Sequence, residues 1–156
     1  MARRIFISFQ NADRARARGF NLMHYAPNVD FEAVGRHLIN PVNSTDDAYI
    51  TSKIKEQIKG SSVTVVLIGR GAASSDWVAK EIEWSREKGN GLVGIKLDPG
   101  ADVPEGLDEA GAEILDWNEP SDVQEFEAAI ERSVDGANKA PAIREAGAGA
   151  DSSCGR

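Results

Sequence analysis

The most regular hydrophobic pattern lies in the middle of the chain. Val63 to Ile68 is a largely β-branched and aliphatic run, as expected of a strand covered on both faces in a parallel sheet. Ser74 or Ser75 can cap a following helix, and Gly89 can end it. Leu92 to Leu97 then predicts a second strand. Together these segments predict one right-handed strand–helix–strand unit.

The same alternation predicts the rest of the fold, an α/β flavodoxin-like three-layer sandwich around a mostly parallel five-stranded sheet, with four or five helices. The segment between Leu97 and Ala110 is rich in Asp, Pro and Gly and predicts a loop. The other predicted elements are, in chain order, a strand at Ile5–Phe9, a helix capped by Asn11 with Ala15 on its inner side, a strand at Val29–Val34, a helix from Ser44 to Gly60 with Ile50, Ile54 and Ile58 on its apolar face, a strand at Ala112–Trp117 and a helix from Pro120 to Val134.

The predicted central helix carries the first candidate chemistry. Trp77 and Glu81 lie four residues apart, on a face beside the apolar one. The helix starts at the carboxyl end of a strand, where open parallel sheets bind ligands. An aromatic ring and a carboxylate at that crevice can hold a sugar or a base. The plainer alternative for Glu81 is a surface glutamate within reach of Ser85 or Lys88.

Other candidate substrate contacts follow from their expected place at the same crevice. Ser8, Phe9 and Gln10 leave the first strand there, and the alternative for Phe9 is a core position. Asp46 lies at the start of a helix, where helix capping and dipole compensation are the alternative to substrate contact. The alternative for Trp77 is packing at the helix start.

Composition narrows the class of protein. At 156 residues one domain is expected, and the only cysteine, Cys154, excludes an internal disulfide and fits a reducing cytosol. The net charge of −7 argues against nucleic-acid binding, and no apolar run approaches the ~20 residues of a membrane span. No long apolar segment follows Met1, so we expect no secretory signal and a cytoplasmic location. Residues 1–136 should form the domain, and residues 137–156, rich in Ala, Gly and Ser, a disordered tail.

Several common sites are missing from the sequence. It contains no GxxxxGK[ST], so it lacks a P-loop. A GxGxxG spacing occurs at Gly89–Gly94 (GNGLVG), but it leads from the predicted helix into a strand, whereas a dinucleotide fingerprint leads from a strand into a helix. It has no His/Cys cluster with zinc spacing. We therefore expect no bound metal and no resident cofactor.

Two stretches resemble a known family. Arg4–Phe9 (RIFISF) resembles the first strand of Toll/interleukin-1 receptor (TIR) domains, and the WVxxEI helix after VTVVLIG resembles their C strand and C helix. The spacing and the KGNGLVGIKL continuation are most similar to the TIR-like proteins of bacterial Thoeris antiphage systems. Many TIR domains have an Arg after the aromatic residue of the first strand, where this sequence has Gln10.

The resemblance implies an enzyme of class EC 3.2.2.-, in which Glu81 cleaves NAD⁺, as substrate rather than cofactor, to a cyclic ADP-ribose-type messenger. The messenger would activate a separate effector protein in antiphage defence. It also implies self-association through TIR interfaces, controlled by a loop within Gly35–Asn43. One carboxylate can suffice, because nicotinamide leaves as a neutral molecule and needs no general acid, whereas ordinary glycosidases need two carboxylates.

Two other functions stay open at this point. The chain could be a non-catalytic TIR module that acts by assembly with other proteins. It could also be an enzyme similar to nucleoside deoxyribosyltransferases, which combine this kind of fold with a glutamate. Product formation from NAD⁺ distinguishes the first of these from an NAD⁺-cleaving enzyme.

Overall fold

A computed structural model describes residues 3–21, 31–35, 47–116 and 125–136. Five parallel strands form one sheet in the order β2-β1-β3-β4-β5. Across the described residues, no helix has the length and apolar character needed to cross a bilayer. The strands are β1 Arg3–Ser8, β2 Phe31–Gly35, β3 Val63–Ile68, β4 Gly91–Lys96 and β5 Glu113–Asp116; the helices are α1 Arg14–Asn21, α2 Asp47–Lys59, α3 Asp76–Lys88, α4 Glu105–Ala110 and α5 at residues 125–136.

Helices cover both faces of the sheet, so the predicted three-layer architecture is confirmed. On one face, Ala17 of α1 and Phe126 and Ile130 of α5 pack on alternate residues of β1, β3 and β4. On the other face, α3 and α4 pack on Val66 and Ile68 of β3. The same face carries a smaller cluster under α2, formed by Phe6, Val34, Ile54 and Ile58.

The strand predictions were accurate where the sequence is continuously apolar. All six residues of β3 are buried, because β3 lies between β1 and β4 and under helices on both sides. The predicted second strand is present as β2 and includes Gly35, which the sequence had suggested as the start of a loop. The predicted isoleucine stripe of α2 is also confirmed, with Ile54 and Ile58 buried and Ile50 packed against them.

The start of α1 differs from the prediction. A 3₁₀ turn at Asn11–Asp13 precedes the helix, and its cap is Gln10, whose side-chain oxygen accepts a hydrogen bond from the Ala12 amide at 2.9 Å. Asn11 is therefore not the cap. Ala17 is buried and Ala15 is exposed, so the prediction that Ala15 lies on the inner side of the helix is wrong.

The segment after β4 contains a helix that was predicted to be a loop. α4 spans Glu105–Ala110 and ends at Gly111, which has φ +68°. Leu107 is its one buried residue. It anchors a helix in which Glu105, Leu107, Glu109 and Ala110 favour helical structure and Gly106 does not.

Some predictions fall outside the described residues. These are the loop at residues 36–43, the helix start at Ser44 and Asp46, the aromatic residue Trp117 and the tail at 137–156.

Candidate functional site

The candidate site lies at the carboxyl ends of β1 and β3. From β1 the chain continues to β2 at one side of the sheet, and from β3 it continues to β4 at the opposite side. This reversal of strand order is where open α/β sheets place their ligand crevice. β1 and β3 are in register there, with Ser8 beside Val66.

α3 begins beside this edge, and its ends are fixed by the residues that the sequence indicated. The Ser75 hydroxyl accepts a hydrogen bond from the Val78 amide at 3.2 Å, which caps the helix. Gly89, with φ +90°, ends it in the left-handed region. Between these caps, the helix buries Val78, Glu81, Ile82 and Ser85 against the sheet.

Glu81 is fully buried, at 0% exposure, and faces the end of β1. The Ser8 hydroxyl donates a hydrogen bond of 2.6 Å to Glu81 Oε1, and Ser8 is also 0% exposed. The alternative that Glu81 is a surface glutamate is therefore wrong. A buried carboxylate is costly unless it is hydrogen-bonded, and Ser8 supplies one such bond. The structure thus brings together Ser8 and Glu81, which are 73 residues apart in sequence.

Gln10 lies at the rim of the same edge. Its exposure is intermediate, and its carboxamide lies so close to Gly71 that a Cβ atom at Gly71 would be 3.3 Å from it. Gln10 thus connects the segment after β1 to the segment after β3. Whether it contacts substrate stays a prediction.

The two predicted aromatic contacts pack differently. Phe9 is fully buried in the core cluster on the α1 face, and the guanidinium carbon of Arg14 lies 5.9 Å from its ring centroid. Trp77 is half-buried against the cluster under α2, and Lys80 Nζ lies 5.1 Å from its ring centroid. Phe9 therefore has the core position given above as its alternative, and Trp77 has the packing position. Roles for either in substrate binding stay predictions.

A second buried carboxylate, Asp13, lies close to the same strand ends. Its oxygens would be 2.2 Å and 2.5 Å from a Cβ atom at Gly69, so only glycine leaves room for it. Burial raises the pKa of Asp13; Arg16 lowers that pKa and Asp98 raises it. Asp13 was not among the predicted site residues, and the sequence signal that accompanies it is Gly69, the glycine directly after β3.

Arg16 links α1 to the loop after β4. Its guanidinium donates to both oxygens of Asp98, at 3.0 Å and 3.4 Å. This bond lowers the pKa of Asp98 below its ordinary value. Arg14, Arg16 and Arg18 are all exposed on α1.

The remaining candidate sites are less informative. Asp46 lies outside the described residues. Within those residues, no group of three or more His, Cys, Asp or Glu side chains is placed to hold a metal ion. Two surface hollows, of about 460 Å³ near Asn90 and Arg132 and about 590 Å³ between α3 and α4, are lined by neither Glu81 nor Ser8.

Comparison with known proteins agrees with this fold. Residues 6–102 match the model of a family described as "Thoeris protein ThsB, TIR-like domain". The chain is 30% identical over 122 residues to the "Putative cyclic ADP-D-ribose synthase ThsB1" of Bacillus cereus (strain MSX-D12). That match covers 75% of this chain, and the chain spans 63% of the length of the relative.

Solved structures show the same fold at low identity. The TIR domain of the Toll-related receptor TRR-2 from Hydra magnipapillata is similar at a TM-score of 0.54 and 18% identity, over 83% of this chain and 96% of that one. The flavoenzyme NAD(P)H:(acceptor) oxidoreductase FerB of Paracoccus denitrificans is similar at 0.52 and 12%, over 88% and 98%. These two likenesses show the fold alone. Because the family model covers most of the sheet and the helix that carries Glu81, the chain belongs to the TIR-like domain family of the Thoeris protein ThsB.

Proposed function

We propose that this protein cleaves the nicotinamide–ribose bond of NAD⁺, with Glu81 as its catalytic carboxylate, and forms a cyclic ADP-ribose-type product. The observation that carries the proposal is the buried Glu81 held by Ser8 at the carboxyl edge of the sheet. A carboxylate kept in the interior at a ligand-binding edge is costly for stability, which favours a functional reason for keeping it. The name of the Bacillus cereus relative supports the same reaction class.

The chemistry requires little beyond this carboxylate. Nicotinamide leaves as a neutral molecule with the electron pair of the broken C–N bond, and positive charge develops on the ribose. A fixed carboxylate stabilises that charge electrostatically. Attack by water gives ADP-ribose, nicotinamide and a proton. Attack by a hydroxyl or adenine nitrogen of the same molecule gives a cyclic product, nicotinamide and a proton.

Access to Glu81 determines when the enzyme works. Its side chain has no exposed surface, so NAD⁺ reaches it only after neighbouring groups move. This burial supports a resting form that opens upon a trigger. In the cell we propose phage infection as the trigger, self-association as the step that completes the site, and a separate effector as the receiver of the product.

The test is mass spectrometry of the products formed from NAD⁺, by purified protein and by lysates of infected cells. Glu81→Gln keeps the side-chain volume and removes the charge, so product should fall by about 10²–10³-fold, a typical cost of removing one preorganised electrostatic group. Glu83→Gln is the matched control, because Glu83 is exposed on the same helix. It should retain wild-type activity.

Two outcomes would contradict the proposal. Wild-type product levels from folded Glu81→Gln protein in infected cells would remove Glu81 from catalysis. The absence of any NAD⁺-derived product from the wild type in both preparations would favour the non-catalytic TIR module instead.

A further inference from the structure

A chain of buried hydrogen bonds connects the backbone of Glu81 to the central strand. The Ser85 hydroxyl donates to the Glu81 carbonyl oxygen at 2.7 Å. Ser85 Oγ lies 2.6 Å from Thr64 Oγ1 on β3. The side-chain amide of Asn90, just before β4, donates to Thr64 Oγ1 at 3.3 Å. Thr64 and Ser85 are 0% exposed and Asn90 is 6% exposed.

The direction of each bond in this chain is determined. A carbonyl oxygen only accepts, so the Ser85 proton goes to Glu81. Ser85 must then accept the proton of Thr64, and Thr64 accepts from the Asn90 amide. The protons of both hydroxyls are each donated once. This series of hydrogen bonds ends at Glu81, which carries the proposed catalytic carboxylate.

Burying these polar groups costs stability, which indicates that they do more than fill space in the core. The hydroxyls of Ser85 and Thr64 lie between α3 and β3, where apolar side chains of similar shape can be neutral or stabilising. In addition, Asn90 Oδ1 is buried and has no hydrogen-bond partner in the described part of the chain. An unsatisfied buried acceptor is destabilising, and the Asn90 amide nonetheless serves two hydroxyls, Thr64 and Ser61.

Two of the contacts that hold Glu81 reach adjacent strands. The carboxylate contacts Ser8 on β1, and the main-chain carbonyl is connected through Ser85 to Thr64 on β3. β1 and β3 are hydrogen-bonded neighbours, with Thr64 opposite Phe6. A slide or rotation of α3 along the sheet would break one attachment or strain the other.

We infer that Ser85, Thr64 and Asn90 are positioning residues that fix the register of α3 on the sheet and so hold the Glu81 carboxylate at Ser8. The inference rests on the proposed function, because its catalytic consequence needs Glu81 to act on NAD⁺. None of the three needs to touch substrate. Their effect is on where the carboxylate lies when the ribose charge develops, so they should affect kcat rather than KM.

The test uses Thr64→Val, which replaces the hydroxyl by a methyl group of similar shape, and Thr64→Ser, which keeps the hydroxyl. In Thr64→Val, kcat should fall by about 10- to 100-fold, the scale of a misplacement of about 1 Å, with KM within about twofold of the wild type. Thr64→Ser should recover most of the lost kcat. If Thr64→Val does not fold, Ser85→Ala replaces it, because alanine is favoured in helices.

Ser133→Ala is the matched control. Ser133 donates to the Ile130 carbonyl at 2.7 Å in α5, the same type of helix hydrogen bond at a distance from Glu81. It should leave kcat unchanged. A wild-type kcat in folded Thr64→Val, or no recovery in Thr64→Ser, would overturn the inference.

A structural readout separates this inference from the proposed reaction. In crystal structures, the Ser8 Oγ–Glu81 Oε1 distance should lengthen from 2.6 Å in Thr64→Val and stay unchanged in Ser133→Ala. If the wild type has no NAD⁺ turnover but this distance lengthens in Thr64→Val, the proposed reaction is wrong and the proposed positioning role is correct. An unchanged distance in Thr64→Val would overturn the positioning whatever the reaction.

Discussion

Removing the Ser8 hydroxyl is the most direct test of how Glu81 is held. Ser8→Ala keeps the backbone of β1 and introduces no larger group, so the change is confined to one hydrogen bond. That bond is 2.6 Å long, and both residues are fully buried. Without it, Glu81 Oε1 loses a donor in a place that water does not reach.

The size of the effect follows from the charge of the acceptor. A hydrogen bond to a charged group contributes about 1.5–3 kcal/mol, against about 0.5–1.5 kcal/mol for a neutral pair. Ser8→Ala should therefore lower the free energy of unfolding by about 1.5–3 kcal/mol. In a chain of this size, each kcal/mol corresponds to about 2–4 °C in melting temperature.

The assay is urea unfolding followed by circular dichroism, on the wild type, Ser8→Ala, Glu81→Gln and the double variant. Glutamine can still accept from Ser8, but as a neutral group. The double-mutant cycle should therefore give a coupling free energy of about 1 kcal/mol. Ser74→Ala, at an exposed serine before α3, is the control and should lie within about 0.5 kcal/mol of the wild type.

Two results would refute this reasoning. If Ser8→Ala is as stable as Ser74→Ala, the hydroxyl does not hold the carboxylate. If the two substitutions are additive, the residues do not interact in solution as they do in this structure, and the geometry of the proposed site is wrong.

The other predictions concern the rest of the domain. Gly69→Ala should destabilise the fold by about 1–3 kcal/mol in thermal unfolding, because its Cβ atom would lie 2.2 Å from Asp13, whereas Gly100→Ala meets nothing within 4 Å and should be neutral. Burial raises the pKa of Asp13, so the contribution of Asp13 to stability should grow as the pH falls from neutral to its ordinary pKa of 3.8. Over that range the free energy of unfolding of the wild type should rise relative to that of Asp13→Asn, and a constant difference between the two proteins would contradict this. Truncation after Ala137 should leave the melting temperature almost unchanged, since the removed residues were predicted to bury little; a drop of many degrees would contradict that prediction.

The fold was largely predictable because its strands and caps are local signals. The run Val63–Ile68 is apolar enough to require cover on both faces, and Ser75 and Gly89 fix the ends of α3 by well-known cap geometry. α4 could not be predicted in the same way. It is six residues long, lacks a side-chain cap at Pro104 and depends on the burial of Leu107. That burial is a tertiary contact, which no local pattern shows.

The candidate site was predictable only in part. Glu81 was selected by resemblance to a family, since the residue alone suggested a solvent-exposed position on the helix. Glu81 is buried through its contact with β1, where its partner Ser8 lies 73 residues earlier in the sequence. Gln10 illustrates the same limit: the sequence placed it at the crevice, but its capping of the turn at Asn11–Asp13 depends on backbone geometry.

One signal in the sequence pointed to the site without any resemblance. The buried stripe of α3 is Val78, Glu81, Ile82 and Ser85, at the i, i+3, i+4 and i+7 spacing of an ordinary apolar face. Two of these four positions are polar, and Thr64 is the polar residue in an otherwise apolar strand.

A single polar residue on an apolar stripe has many explanations, but two buried polar contacts on one helix face are harder to explain by packing. The Glu81 carboxylate accepts from Ser8 at 2.6 Å, and Ser85 Oγ lies 2.6 Å from Thr64 Oγ1 and donates to the main-chain carbonyl of Glu81 at 2.7 Å. Each of these polar side chains lies where an apolar side chain would stabilise the helix–sheet contact by its burial. Departures from a local pattern are expected where function competes with stability. The polar residues on this apolar stripe therefore support the inference that the contacts of α3 with the sheet position Glu81.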